Sequence, residues 1–487
     1  MNRAAAASLP LCVDCDGSLI RTDLLHENVF ALLKARWFML LWLPFWLLQG
    51  KATLKRKLAE HAQVDAATLP YNEALVAWLR QEKARGRKIV LATASDVSLA
   101  NRVAAHLGVF DEVMASDGGV NLAGAEKARQ LSARYGERGF DYVGNSEADM
   151  AVWRQAHGAV VAGSTHGMKD RAAGVAKLLQ VFQTPRAELR DYLKALRLHQ
   201  WLKNLLVLLP ALAAHRIGDP ATLGTALLAM LSFGLCASSV YVLNDLLDLP
   251  SDRAHPRKCK RPFASGRLPV AAGAVMIPLL LAGSLAAAWT LHPAFKLVLL
   301  AYLLATVAYS VRLKNHVVID VILLAGLYTT RVVAGAAATQ IVPSFWLLAF
   351  SMFLFFSLAL VKRYAELFAA LKQDKTGAAG RGYVVDDLPL LMALGLSSAM
   401  AALMVLALYV NSPDVIRMYA QPVWLWLLVP LNLYWVSRVW MKSHRGQMHD
   451  DPVVFAVRDV QSLVVFLSCL VVMVLAMSGV GLPSWAR

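Results

Sequence analysis

The sequence predicts a multidomain chain: an α/β domain over residues 1–185, then an all-α polytopic membrane domain over 196–487. Three observations carry this. Apolar residues make up 57% of the 487 and mean hydropathy is +0.49, both above a typical globular chain. Beyond about residue 200, apolar runs of roughly 18 to 25 residues recur, each long enough to cross a bilayer. Before that, short β-branched or apolar runs alternate with helical patterns, as in an α/β sheet.

In the first domain composition predicts strands at Leu11–Val13, Lys88–Ala92 and Phe140–Val143. Between the first two lies WFMLLWLPFWLL, residues 37–48, too short to span and interrupted by Pro44. It reads either as a buried helix of a cap subdomain or as a tryptophan-rich apolar face lying on a membrane. Residues 186–195, within TPRAELRDYLKAL, read as a linker or interfacial helix entering the membrane. About nine transmembrane helices follow, near 201–214, 222–244, 269–291, 295–311, 317–338, 343–361, 388–411, 420–438 and 459–480. The N-terminus shows no apolar core of signal-peptide length, so no cleaved signal is expected. The five cysteines have neither metal nor disulfide spacing.

The net charge of +16 raises the question of nucleic acid, but its placement argues against that partner. Arg253, Arg257, Lys258, Lys260, Arg261 and Arg267 fall in one interhelical loop. Lys362, Arg363, Lys372, Lys375 and Arg381 fall in another, and Arg438, Lys442 and Arg445 in a third. The intervening loops carry little more than Arg216, Lys296 and Arg417. This alternation is the positive-inside pattern. With an odd helix count it predicts a cytoplasmic N-terminal domain and an external C-terminus in a bacterial-type inner membrane.

LCVDCDGSL ends the first strand on Asp14-x-Asp16, and IVLATASD, GAEKARQL and DYVGNSEADMAVW follow in order. Two of these also place polar residues at strand ends, where open α/β sheets bind ligands. Together they resemble the haloacid dehalogenase (HAD) phosphatases, with their Rossmann-like fold and helical cap. The resemblance implies Asp14 as nucleophile and Asp16 as the acid and base. It implies Thr93 and Lys127 as phosphoryl ligands, and Mg2+ held by Asp14, Asp16, Asn145 and Asp149. The last motif usually reads Gly-Asp-x-x-x-Asp; here Asn145 replaces the first aspartate and removes one negative charge from the metal site, which weakens it or silences turnover.

NDLLDLPSDRAHPRKCKRPFASG, residues 244–266, closes an apolar run. Asp245, Asp248 and Asp252 stand at i, i+3 and i+7, positions that share one helical face, with Asn244 beside Asp248. Three such carboxylates at a membrane interface call for a divalent cation, and Mg2+ suits oxygen ligands and phosphate partners. His255, Lys258 and Arg261 follow as phosphate ligands. The stretch resembles the first aspartate-rich motif of the UbiA superfamily of intramembrane prenyltransferases. That resemblance implies diphosphate loss from an activated carbon, assisted by Mg2+.

RLHQWLKN, YSVRLKNHVVIDV, LYTTRVVAG, KRYAEL and MHDDPVVFAVRD resemble the branch that transfers phosphoribose from phosphoribosyl pyrophosphate to a polyprenyl phosphate. Such a site needs extra cations, and Lys203, Arg331, Lys362 and Arg363 are candidates. A HAD phosphatase fused to it would remove the 5-phosphate of the product. The alternative function moves a polyprenyl group from its diphosphate to an aromatic acceptor resembling 4-hydroxybenzoate. In that case the first domain has a separate or a docking role.

Overall fold

The computed structural model describes residues 9–62, 64–163, 167–377, 382–448 and 451–478; Arg381, His449 and Asp450 lie outside them. The chain forms two compact units. One comprises residues up to Leu196 together with Tyr241–Pro278, and the other comprises Arg197–Val240 and the residues from Leu279 onward. The α/β unit thus runs to Leu196, and the aspartate-rich segment belongs with it.

The first unit is built on a six-stranded parallel sheet of order β3-β2-β1-β4-β5-β6. Its strands are β1 (Leu11–Val13), β2 (Ile89–Asp96), β3 (Glu112–Ser116), β4 (Asp141–Gly144), β5 (Gly158–Gly163) and β6 (Lys177–Gln183). Strand residues alternate between two cores. Leu11, Val13, Ile89 and Leu91 pack into one, and Cys12, Val90, Ala92 and Tyr142 into the other. Burial on both faces explains why β1 reads as an unbroken apolar run.

A helical cap follows β1: α1 (Leu24–Arg36), a 3-10 turn (Trp37–Trp42), α2 (Leu43–Leu48) and α3 (Lys51–His61). The Asp23 side chain caps α1 by accepting from Leu25 N. Leu32, Trp46, Leu58 and Ala62 form a small separate core. The buried-helix reading of residues 37–48 thus fails for all but Trp46 and a few half-buried neighbours. Trp37, Phe38, Leu41, Trp42, Phe45, Leu47 and Leu48 are all exposed.

Among the described residues, seven helices beyond residue 200 are long and apolar enough to cross a membrane. They are Pro220–Leu247, Val270–Ala288, Pro293–Val311, Ile319–Thr339, Phe345–Leu371, Val385–Val410 and Val460–Met477. Two of the nine expected spans take other forms. Residues 201–214 fall in a 3-10 run, Leu198–Leu208, and a short helix, Leu209–Ala213, entered through Pro210. Near 420–438 a 3-10 turn, Pro422–Leu427, precedes the helix Leu428–His444, whose end is charged. The stretch Leu24–Leu48 also meets the length and composition for a span. Inside the second unit, small polar residues and glycine set close approaches. Ser232 and Ser284 exchange hydroxyl-to-carbonyl bonds of 2.9 and 2.7 Å. A Cβ on Gly335 would stand 1.9 Å from the Val207 carbonyl oxygen, so only glycine fits there.

Candidate active sites

At the carboxyl edge of the sheet, β1 lies between β2 and β4, where the strand order reverses; open α/β sheets bind ligands at such a point. Asp14 leaves β1 there, and the helix Ala125–Tyr135 brings in Lys127, whose Nζ donates to Asp14 Oδ1 at 2.6 Å. Both side chains are buried. Burial pushes the Asp14 carboxyl up to about 7 even against the attraction of Lys127. Asp16 accepts from Leu24 N at 2.8 Å and from Ser95 Oγ at 2.6 Å, and burial, with Asp23 nearby, raises it to about 6. Thr93 is fully buried, and its hydroxyl accepts from Ser95 N. Asn145 follows β4 and lies over the β1 loop. Its Oδ1 accepts from Ser18 Oγ, and a Cβ on Gly17 would strike its amide at 2.3 Å. Gly17 also has a φ of +75°, so the loop requires glycine twice over.

Asp149 departs from its expected part. Its Oδ2 accepts from Asn145 N, Ser146 N and Ser146 Oγ, and its Oδ1 from Tyr142 OH. It closes the turn that carries Asn145 instead of presenting an open metal face. Among the described residues, no three His, Cys, Asp or Glu side chains form a ready-made metal centre. The donors that do converge, Asp14, the Asp16 loop and Asn145, are oxygens suited to a hard cation.

In the second candidate site the three aspartates do not share one face. The helix Pro220–Leu247 ends and Leu249–Arg253 begins anew, because Pro250 has no N–H to continue the ladder. Arg261 Nη1 bridges Asp245 at 3.0 Å and Asp252 at 2.5 Å, and both carboxylates are buried. Burial raises Asp252, with Arg261 offsetting part of the effect. Asp248 turns instead to Lys34 of the cap, 2.9 Å away. The adjoining Asn244 Oδ1 is buried without a hydrogen-bond partner. Two buried carboxylates, one shared guanidinium and one unpaired amide oxygen fit a hard cation that shares the carboxylates with Arg261 or displaces it. His255 Nδ1 accepts from Arg257 N and Lys258 N, which leaves Nε2 as the donor. Burial and then Lys258 lower its pKa, so it is neutral. Lys258 stands on the 3-10 turn Lys258–Lys260 and is exposed.

The cap is tied to this segment. Arg253 Nη2 and Nη1 donate to Glu27 at 2.6 and 3.2 Å, and Thr22 Oγ1 donates to Glu27 at 2.7 Å. The pair is buried, so α1 joins the Asp16 loop at its start to the aspartate-rich segment along its length.

In the second unit, Lys203 and Lys362 converge on Asp451, at 2.8 and 3.2 Å, and Tyr328 OH donates to the same carboxylate. Burial opposes charge on Asp451, yet the two lysines hold it well below the usual carboxylate range. Arg331 lies against the rings of Phe233, Tyr302 and Tyr328 and donates to Asn204 Oδ1 at 3.1 Å. Asn204 is 1% exposed, and its Nδ2 has no hydrogen-bond partner. Arg363 is held elsewhere. It is fully buried against Asp320 at 2.5 Å, with Glu366 and Tyr309 completing its contacts. That environment makes it a bracing residue between helices and does not present it to a substrate phosphate. Asp451, Asn204 and Tyr328 were not singled out by the sequence reasoning. The signals were present: an Asp-Pro pair in an otherwise basic loop, and an amide following Lys203 within RLHQWLKN.

The chain matches the UbiA prenyltransferase family over residues 205–458 and belongs to it. With its apolar helices, this makes it an integral membrane protein of the UbiA transferase class. Three relatives refine the comparison. The chain is 39% identical over 458 residues to the uncharacterized protein y4nM of Sinorhizobium fredii, across 93% of this chain and 88% of that one. It is 36% identical over 276 residues to the nodulation protein NoeC of Azorhizobium caulinodans, covering 57% of this chain and 90% of that one. It is 38% identical over 205 residues to the decaprenyl-phosphate phosphoribosyltransferase of Mycobacterium tuberculosis, covering 41% of this chain and 67% of that one.

Proposed function

We propose that this chain transfers phosphoribose from phosphoribosyl pyrophosphate to a polyprenyl phosphate, and that its α/β unit is a HAD-type phosphatase that removes the 5-phosphate. The carrying observation is the cluster of Lys203, Arg331 and Lys362 with the unpaired amide donor of Asn204. Cations and a spare N–H are what a phosphate monoester needs. The similarity to decaprenyl-phosphate phosphoribosyltransferases supports that choice over an aromatic acceptor.

In the transfer step, a phosphate oxygen of the lipid attacks the anomeric carbon while the bond to diphosphate breaks. Bound Mg2+ would supply Lewis-acid stabilisation of the leaving diphosphate. Asn244, Asp245 and Asp252 are the residues that would hold it, with Asp248 once released from Lys34. Arg261 and Lys258 neutralise charge developing on the diphosphate, and neutral His255 donates from Nε2. In the second step Asp14 attacks the 5-phosphate. Lys127 fixes the attacking carboxylate, Asp16 gives its proton to the departing ribose oxygen, and Asp16 then takes a proton from the water that hydrolyses the aspartyl phosphate. An Asp16 pKa near 6 suits a group that must do both. Asp14, the Asp16 loop and Asn145 would hold Mg2+ here, with Asp149 positioning Asn145. The basic loop at 251–267 favours the cytoplasmic side for the α/β unit, and an external C-terminus goes with that reading.

The test incubates purified full-length protein and Mg2+ with polyprenyl phosphate and phosphoribosyl pyrophosphate. A parallel arm supplies polyprenyl diphosphate and 4-hydroxybenzoate. Ribosylated lipid in the first arm only is expected; prenylated aromatic product in the second arm only would replace this reading with the prenyltransferase one.

A further inference from the structure

We infer that the cap segment Trp37–Leu48 is a membrane-surface anchor, which seats the α/β unit on the lipid bilayer that the rest of the chain crosses. Seven large apolar side chains within these twelve positions are exposed, Leu48 at 85% and Leu41 at 71%. A patch of this kind on a folded unit marks an interaction site.

The segment does not cross the membrane, although Leu24–Leu48 has the length and composition for it. Its first half is pinned inside the α/β unit. Leu24 N is bonded to Asp16, and Glu27 is buried in its ion pair with Arg253. The backbone then turns sharply at Arg36, with φ −148° and ψ 63°, into the 3-10 turn. The outcome is a short amphipathic hairpin in which Trp46 faces inward and Trp37, Trp42, Phe45 and Leu48 face outward.

The occupant follows from charge and continuity. Arg36 and Lys51 bracket the segment directly and have no ion-pair partner among the described residues, whereas Lys34 is held by Asp248, Lys55 by Ala94 O and Asn121, and Arg56 and Lys57 by Glu60. Tryptophan and phenylalanine on an apolar face bracketed by cations is the composition of an interfacial anchor facing anionic lipid. The same compact unit contains the last residues of Pro220–Leu247 and the first of Val270–Ala288, both membrane-crossing helices. A bilayer is therefore within reach of this unit whenever the protein is in its native setting. A second copy of the chain docked on this face would set the bracketing cations Arg36 and Lys51 against their own counterparts.

The test uses the full chain with Cys259→Ser and Cys469→Ser, because the other three cysteines are buried. Leu48→Cys carries an NBD fluorophore, in liposomes of phosphatidylcholine and phosphatidylglycerol with or without doxyl-labelled lipid. Arg85→Cys, at an exposed turn of the α/β unit, is the control. The expected result is blue-shifted NBD emission at position 48 and at least about twofold stronger quenching by shallow doxyl groups than at position 85. Label at Trp42→Cys should behave as at 48. Water-like emission without lipid quenching at both sites would overturn the anchor. So would a blue shift that depends on protein density and ignores doxyl lipid, which is the signature of a second copy.

Discussion

Replacing Glu27 by alanine should strongly destabilise the first unit and impair both candidate centres. The carboxylate accepts two bonds from Arg253 and one from Thr22, with both ionic partners more than nine-tenths buried. Truncation strands a guanidinium in a low-dielectric site, and removing one partner of such a pair costs about 3–5 kcal/mol. For a unit of this size, each kcal/mol moves the midpoint by about 2–4 °C, so the melting temperature should fall by about 6–20 °C. Glu27→Leu combined with Arg253→Met removes both charges and should recover most of that loss. Thermal unfolding of the detergent-solubilised full chain, run as a double-mutant cycle, measures this. A Glu27→Ala midpoint within about 2 °C of wild type, or a double variant no better than the single one, would refute the buried-pair argument.

Asp245→Ala should abolish transfer to either acceptor, with the fold retained by thermal unfolding. Asn204→Ala should raise the KM for the phosphorylated substrate by roughly 10-fold or more while changing kcat little, as expected for a lost bond to a charged group. Asn145→Asp, which adds a carboxylate beside Asp14, should tighten Mg2+ binding at that site, measured by titration of phosphomonoester hydrolysis against metal. The pH dependence of that centre has a definite sign. Asp14 is raised to about 7, so protons compete with the metal below that value, and apparent Mg2+ affinity should weaken as pH falls from 8 to 6. Without metal, a raised carboxyl contributes stability at pH 4 that is lost as pH rises through about 7, and added Mg2+ should restore it.

The membrane half was legible wherever an apolar run was long and unbroken by charge, even with Pro278 inside Val270–Ala288. It was misread at residues 201–214 and 420–438, where 3-10 runs ending before Pro210 and opening on Pro422, and a charged helix end, interrupt the pattern. Strands β1, β2 and β4 could be found because each leads into a polar motif. Strands β3, β5 and β6 carry none, and EVMAS or KLLQVFQ has no periodicity that separates a strand from a helix. The convergence of Asp14, Lys127 and Asn145 could be anticipated from motif order. The fate of the aspartate-rich segment could not, since helical spacing put Asp245, Asp248 and Asp252 on one face and Pro250 restarts the helix between Asp248 and Asp252. Lys34 and Arg253 form their partnerships across long sequence separations that a local pattern does not encode.

The account is tested most directly by the lipid product of the Asp14→Asn variant. With polyprenyl phosphate, phosphoribosyl pyrophosphate and Mg2+, mass spectrometry of the lipid extract should show polyprenyl-phosphoryl ribose from the wild-type protein. The variant should accumulate the same lipid still carrying its 5-phosphate. Identical products from the two proteins, or no ribosylated lipid from either, would contradict a transferase and phosphatase joined in one chain.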